Sequence, residues 1–497
     1  MKISTRTLAC LPPGLIATLL LAACIGPQGR GSDRNPLAPD AVEKAPLNYY
    51  TTQLQELPMR IQSYDLTGRA QNKPVAIRQL YLRHDDVRDE ILVVDADGGQ
   101  NHLWSIDPYH FTLHWRTPIE KRVDFEPLAT SSYVVLINSD GEYQAFDRLS
   151  APRRGESRLV SKGRYENDIF PSTQPASNDS HVYVPATNTN SIRGFSINDN
   201  VKGYSSLSWT FPNPASRGDG SQRFMQISLP VTANQSTVAI VNNNLNLYLL
   251  DAQAGELRAA IPLGAHSRTP PVIKDDLVFV GNDRGELSAW EQSGESAWVI
   301  AVDGIPYGDI VVENGWVFVR TLEVYDREVS TMRGRGTTIV ADTRPGKLMA
   351  YRYEVIDIPG DRPVFRVIDG DPSTAEKVEP IWSEPDVGQK VLTLNGDYLF
   401  VLYEENEEFL SKVDLAKLRQ TGRIVSKREE LRTVSRRLQV KDVNSGLLAR
   451  PEWDINLRDF PFVVGSGVSR DLSVYLGTSD GYIFRLHRQD RAGAGGK

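Results

Sequence analysis

The chain has 497 residues, with 56 Lys and Arg against 63 Asp and Glu and a net charge of -7. That balance argues against a nucleic-acid partner, which calls for a basic face to neutralise phosphates. Two cysteines exclude a disulfide framework or a four-cysteine zinc site, and 40% hydrophobic with 24% charged residues is the composition of a folded globular protein.

Residues 1–23 read as a lipoprotein signal peptide. Lys2 and Arg6 form a positive start, Leu15 to Leu21 a short apolar core, and Leu21-Ala22-Ala23-Cys24 resembles the bacterial lipobox. The apolar run is short for a transmembrane helix. The pattern predicts cleavage before Cys24 and acylation of its thiol and amine, and more than one acyl chain anchors stably. Cys10 lies in the removed segment, so no disulfide and no thiol nucleophile is expected in the mature chain. Ile25 stands where an Asp retains enterobacterial lipoproteins at the inner membrane, so the expected location is the outer membrane, facing the periplasm. Residues 24–50 are expected to be the lipidated cysteine and a flexible tether, rich in Gly, Pro and charge.

From about residue 75 one theme recurs: a β-branched or aromatic strand, a polar Gly turn and a second strand. The strand segments start at Ile91, Tyr133, His181, Thr237, Leu277, Trp316, Tyr398 and Ser473. Their residue types predict half-buried strands. Asn138-Ser-Asp-Gly141, Asn282-Asp-Arg-Gly285 and Thr478-Ser-Asp-Gly481 predict hairpin turns, in which Gly supplies the positive φ. Pro127, Pro175, Pro230 and Pro271 precede units and mark blade boundaries. Eight such units predict an all-β fold, an eight-bladed β-propeller of four-stranded antiparallel blades over residues 51–490, with residues 491–497 as a disordered tail. The segment from Met59 is expected to supply the missing outer strand of the last blade, whose strand ends at Tyr482–His487.

Two units are longer than the rest. The insertion near 322–345 is polar and Gly-containing and predicts a rim loop. The insertion near 412–435 leads into a basic stretch: Lys412 to Lys441 holds ten Lys and Arg, against Asp414, Glu429, Glu430 and Asp442 across 412–442. Ile424, Leu431, Val434 and Leu438 share one helical face, which predicts a helix over about 424–438. Arg423, Lys427, Arg428, Arg432, Arg436 and Arg437 would then be available to a protein partner or to anionic headgroups. A helix covering one propeller edge with solvated charges is the alternative.

Asp107 is followed by Trp115, and Ser293-Gly294 by Trp298; Asp251 to Gly255 and Asp442 to Gly446 repeat the turn without the Trp. These resemble degenerate copies of the Asp-x-x-Thr-Gly-x-x-x-Trp motif of the quinoprotein-like (PQQ-like) β-propeller repeat, over roughly residues 75–490. The resemblance implies that Trp115 and Trp298 are docking residues wedged between blades, with Trp209, Trp382 and Trp453 at further strand positions in the same role. Two functional classes share this fold: quinoprotein dehydrogenases, and the lipid-anchored scaffold of the outer-membrane β-barrel assembly complex. The lipobox favours the second, and the extra length of this chain departs from it.

For the dehydrogenase class the motifs are missing. There is no adjacent cysteine pair, and no set of residues assignable to PQQ or Ca²⁺. Asp95-Ala-Asp97-Gly98 and Asp369-Gly370-Asp371 offer carboxylates at alternate positions, as a cation loop does, but also read as hydrogen-bonded Asp-Gly turns. His110 and His114 would share a strand face about 13 Å apart, too far for one metal. His84-Asp85-Asp86 and His102 read as surface residues. No catalytic residue, metal or cofactor is therefore assigned. The expected role is a non-catalytic protein–protein scaffold at the outer membrane. A quinone- or metal-dependent oxidoreductase and an envelope glycan-binding module are the alternatives.

Overall fold

A computed structural model describes residues 47–488 apart from 56–58, 67–75, 84–87, 97–100, 150–157, 166–168, 197–205, 213–223, 331–336, 357–362, 371–377, 386–388, 408–431, 457–461, 465–472 and 479. The described residues form eight antiparallel sheets, seven of four strands and one of five. They are blades 1 (residues 76–118), 2 (128–164), 3 (176–211), 4 (232–262), 5 (272–301), 6 (305–385), 7 (389–456) and 8 (59–65 with 462–488). In blades 1–7 the strands run in chain order from the inside outward, and blade 6 adds Trp382–Pro385 beside its third strand.

Every apolar segment singled out above is the second strand of its blade: Glu90–Ala96, Tyr133–Ile137, His181–Ala186, Thr237–Asn242, Leu277–Asn282, Trp316–Ser330, Tyr398–Glu407 and Val474–Gly477. These strands are buried on both faces rather than one. In blade 4, Val238 and Ile240 pack with blade 3, while Ala239 and Val241 pack with blade 5. Each blade is thus sandwiched between two others, and each buried Val or Ile contributes about 1.5–3 kcal/mol.

Closure is as the sequence predicts. Met59–Asp65 pairs with Tyr482–Arg488, from Met59 opposite Arg488 to Asp65 opposite Tyr482. A helix with no forerunner in the sequence pattern, Leu47–Leu54, precedes this strand. Its Leu54 is fully buried with Leu438, Trp453 and Leu476 at the junction of blades 7 and 8. Among the described residues no helix is long and apolar enough to cross a membrane.

The hairpin between second and third strands is tight in blades 2, 4, 5 and 8. In blade 2, Asn138 Oδ1 accepts from the amides of Asp140 and Glu142, and Gly141 donates back to the Asn138 carbonyl at 3.1 Å. Asn282 and Gly285 repeat this in blade 5, while blade 4 makes the same turn with Leu245 at φ 69°. Blade 6 departs from it. Trp316–Ser330 and Thr337–Ile356 pair out to Ser330 opposite Thr337, so the insertion expected as a loop is a β-hairpin extended well beyond the four-stranded part of the blade. The reason lies in composition: Val324, Tyr325, Thr338, Ile339 and Val340 are strand formers.

Candidate functional site

The five tryptophans share one place in the blade. Each lies at or beside the outer strand, opposite one residue of the third strand: Trp115 faces Ser105, Trp209 faces Gly194, Trp298 faces Ala289 and Trp382 faces Ala350. Trp453 ends a short 3-10 helix next to Asp454, which pairs with Gln439, so its neighbour in the third strand is Val440. All five are buried, and the residue facing Trp115, Trp209, Trp298 and Trp382 is small. The small residue lets the indole lie flat on its own sheet. The other ring face meets the next blade, where large rings contribute most to holding two layers together.

At two seams the next blade receives the ring with a glycine. A Cβ on Gly255 of blade 4 would collide with Trp209, and one on Gly446 of blade 7 would come within 2.5 Å of Trp382. Both glycines are at positive φ, +67° and +70°, in the Asp turns that the sequence repeats. Those turns are alike: Asp251 Oδ1 accepts from the Gln253 and Ala254 amides, and Asp442 Oδ1 from Asn444 and Ser445. Asp107 does the same with Tyr109 and His110, with Phe111 at φ 51° in the glycine's place. The Ala254 amide, with the Arg258 guanidinium at 2.7 Å, holds the Asp251 carboxyl below the usual aspartate range.

The residue after the turn's first position completes the joint. Trp115 Nε1 donates to the Arg148 carbonyl at 3.0 Å, Trp209 Nε1 to Ala252 at 3.3 Å and Trp382 Nε1 to Val443 at 2.6 Å. Trp298 differs: its Nε1 is buried without a partner. The corresponding residue of blade 6 is Tyr353, which lies inside a strand paired with Val364–Ile368 rather than in an Asp turn. Blades 2 and 4 lack the tryptophan, with Ser161 opposite Ala145 and Ala259 opposite Leu249.

Buried charges also cross between blades. Glu90 of blade 1 and Arg148 of blade 2 are both fully buried and ion-paired through Arg148 Nε. Glu90 also accepts from Ser105 Oγ and from Arg88 at 2.9 Å, and Arg148 donates to the carbonyls of Thr130 at 2.8 Å and Arg88 at 2.6 Å. At the closure, Arg485 of blade 8 donates to Ser473 Oγ, Gln62 Oε1 and the Tyr109 carbonyl of blade 1. No sequence pattern announces these contacts, because the partners lie far apart in the chain.

Asp95 is a fully buried hydrogen-bond acceptor for Trp104 Nε1 at 2.7 Å and the His102 amide, while Asp97 and Gly98 lie outside the described residues. Asp369 Oδ1 accepts from the Glu379 amide at 3.0 Å, and Asp371 lies outside the described residues. His102 is not a surface residue: its ring is mostly buried, with Arg116 Nη2 2.9 Å from its Nδ1. His110 and His114 do not share a strand. His110 is exposed in the Asp107 turn, and the strand begins at Leu113. The turn-forming Asp107 and the positive φ at Phe111 break the alternation that placed them together. His84–Asp86 and Cys24 lie outside the described residues. Among the described residues no group of three or more metal-ligating side chains converges.

The basic stretch is corrected in part. Arg423, Lys427 and Arg428 lie outside the described residues, but Arg432–Asp442 is a strand, not the end of a helix. Leu438 and Val440 are both buried, so the pattern there has a period of two, and pairing with Tyr398–Glu407 overrides the helical spacing. The register sets Arg436 opposite Glu404 and Arg432 opposite Glu407. Arg437 is exposed and ion-pairs with Asp454 at 3.1 Å. The basic strand is therefore matched by an acidic one, a signal present at Glu404–Glu408 in the sequence. Blades 6 and 7 are neighbours, and both lengthen the same connection, so their hairpins rise from one face of the ring.

Glu126, between blades 1 and 2, is exposed yet partly enclosed. Burial pushes its carboxyl up, with Lys390 of blade 7 acting against this and Asp309 of blade 6 adding to it.

Eight closed blades define the chain as an eight-bladed β-propeller. Residues 263–348, from the end of blade 4 into the third strand of blade 6, match the family model described as outer membrane protein assembly factor BamB. Among solved structures it is similar to BamB from Moraxella catarrhalis, at 12% identity and a TM-score of 0.49, over 88% of this chain and 100% of that one. It is also similar to the computationally designed Ika8 protein, at 10% identity and a TM-score of 0.45, over 84% of this chain and 96% of that one. No curated protein matches.

Proposed function

We propose that this chain is a lipid-anchored, periplasm-facing scaffold at the bacterial outer membrane, acting through protein–protein contacts in the assembly of outer-membrane β-barrel proteins. The observation that carries this reading is the match of residues 263–348 to the BamB model within an eight-bladed propeller that follows a lipobox. Cys24 carries the lipid, and the barrel-assembly complex is the partner. The docking tryptophans Trp115, Trp209, Trp298, Trp382 and Trp453 hold the blades rigid, so that connections such as the blade 6 and 7 hairpins vary without disturbing the ring. The chain works without catalysis. The test is a host strain lacking the protein, complemented with the wild type or with Cys24→Ala. The reading expects depleted outer-membrane barrel proteins in the deletion, restored by the wild type and not by Cys24→Ala. Unchanged barrel-protein levels in the deletion would contradict it.

A further inference from the structure

Burying a charge is unfavourable unless a partner compensates it. Among the described residues the buried charged side chains obey this rule with one exception. Glu90 and Arg148 pair with each other, Asp95 accepts from Trp104, and Arg158 donates to the Asp147 carbonyl. Lys441 pairs with Glu384, Asp480 accepts from Thr478, and Arg485 has three acceptors. Arg193 is 7% exposed, and its Nε is buried without an acceptor. Burial alone shifts its titration, downward, and no carboxylate acts on it.

Its surroundings differ from those of the tryptophan seams. Arg193 stands opposite Val184 and two residues before Phe195, and both of these pack toward blade 2. Arg193 therefore faces the seam between blades 2 and 3. That seam has no docking tryptophan. The outer-strand positions that carry Trp209 and Phe211 in blade 3 carry Ser161 and Gly163 in blade 2. A run of rings fills part of the gap: Tyr143 lies 4.9 Å from Tyr165, and Tyr165 lies 4.5 Å from Phe195.

We propose that the seam between blades 2 and 3 is an oxyanion-binding site, with the Arg193 guanidinium as its recognition group and a carboxylate or phosphate as its ligand. A planar fork of N–H donors matches two oxygens of either group. Burial limits water around Arg193 and so strengthens the attraction. The enclosure that leaves Arg193 Nε without an acceptor makes an anion at that point favourable. The proposal stands independently of the scaffold reading.

The test uses the full chain and follows its thermal midpoint while sodium phosphate or sodium acetate replaces sodium chloride at constant ionic strength. The wild type is expected to show a saturable rise with at least one of the two anions, and the responding anion identifies the ligand group. Arg193→Lys keeps the charge but loses the fork, and its half-saturation should move up at least tenfold. Arg193→Met should lose the response and, in chloride alone, melt no lower than the wild type. If Arg193→Met fails to fold, the wild type and Arg193→Lys still decide the matter. A wild type indifferent to both anions, or a Lys or Met variant that responds as the wild type does, overturns the proposal.

Discussion

The indole of Trp209 occupies the space that a side chain on Gly255 would need, although the two residues belong to neighbouring blades. A tryptophan lies flat on a small residue of its own sheet, here Gly194, and meets a positive-φ glycine of the next. The seam thus depends on both residues. Gly255→Ala is expected to destabilise by at least about 2 kcal/mol, from the left-handed backbone and from overpacking. Trp209→Ala is expected to cost about 3–5 kcal/mol. In the double variant the two effects should not add, because removing the ring removes the clash. Denaturant unfolding of the four proteins measures this.

Three docking tryptophans donate to a carbonyl of the next blade, and Trp298 does not. Tryptophan-to-phenylalanine exchange at 209 or 382 should therefore lose more stability than at 298, by about 1 kcal/mol, the net worth of a buried hydrogen bond. Equal losses at all three would show that the indole hydrogen bonds contribute nothing to the seams.

The Glu90–Arg148 pair joins blades 1 and 2 with both side chains fully buried. Glu90→Ala leaves an uncompensated guanidinium and should cost about 3–5 kcal/mol. The double exchange Glu90→Leu with Arg148→Met should remain closer to the wild type, because no charge is left buried. A double variant worse than Glu90→Ala would indicate that the pair stabilises through its hydrogen bonds to Thr130 and Arg88 rather than through charge balance.

Asp251 gives the turn before Gly255 a pH dependence. Its folded pKa lies below the unfolded value of about 3.9, so its stabilising effect is present above that value and is lost as pH falls through the folded pKa. Asp251→Asn keeps the turn's acceptor and loses the charge that faces Arg258. The thermal midpoint of the wild type should exceed that of the variant at neutral pH, with the gap closing below about pH 4. A gap that stays constant into acid would place the effect outside this carboxylate.

What is local in the chain was legible in the sequence. The eight second strands, the Asn-x-x-Gly hairpins and the closing strand at Met59 follow from β-branched runs and turn residues that act over a few positions. What depends on distant partners was not. Leu438 fits a helical spacing, and only the pairing of its strand with Tyr398–Glu407 shows the period to be two. The two-sided burial of Val238 and Ala239 needs blades 3 and 5 on either flank. The seam residues Ser105, Gly194, Ala289 and Ala350 are unremarkable until register sets each against its tryptophan. His102 looked exposed because nothing in the chain shows Arg116 beside it.

On the proposed reading, this propeller works by holding other proteins at the outer membrane. Crosslinking in the native host, followed by detergent extraction and mass spectrometry of what is recovered with the chain, tests it most directly. Subunits of the β-barrel assembly complex are expected to be recovered with the wild type. Recovery of the protein alone, under conditions in which those subunits crosslink to one another, would contradict it.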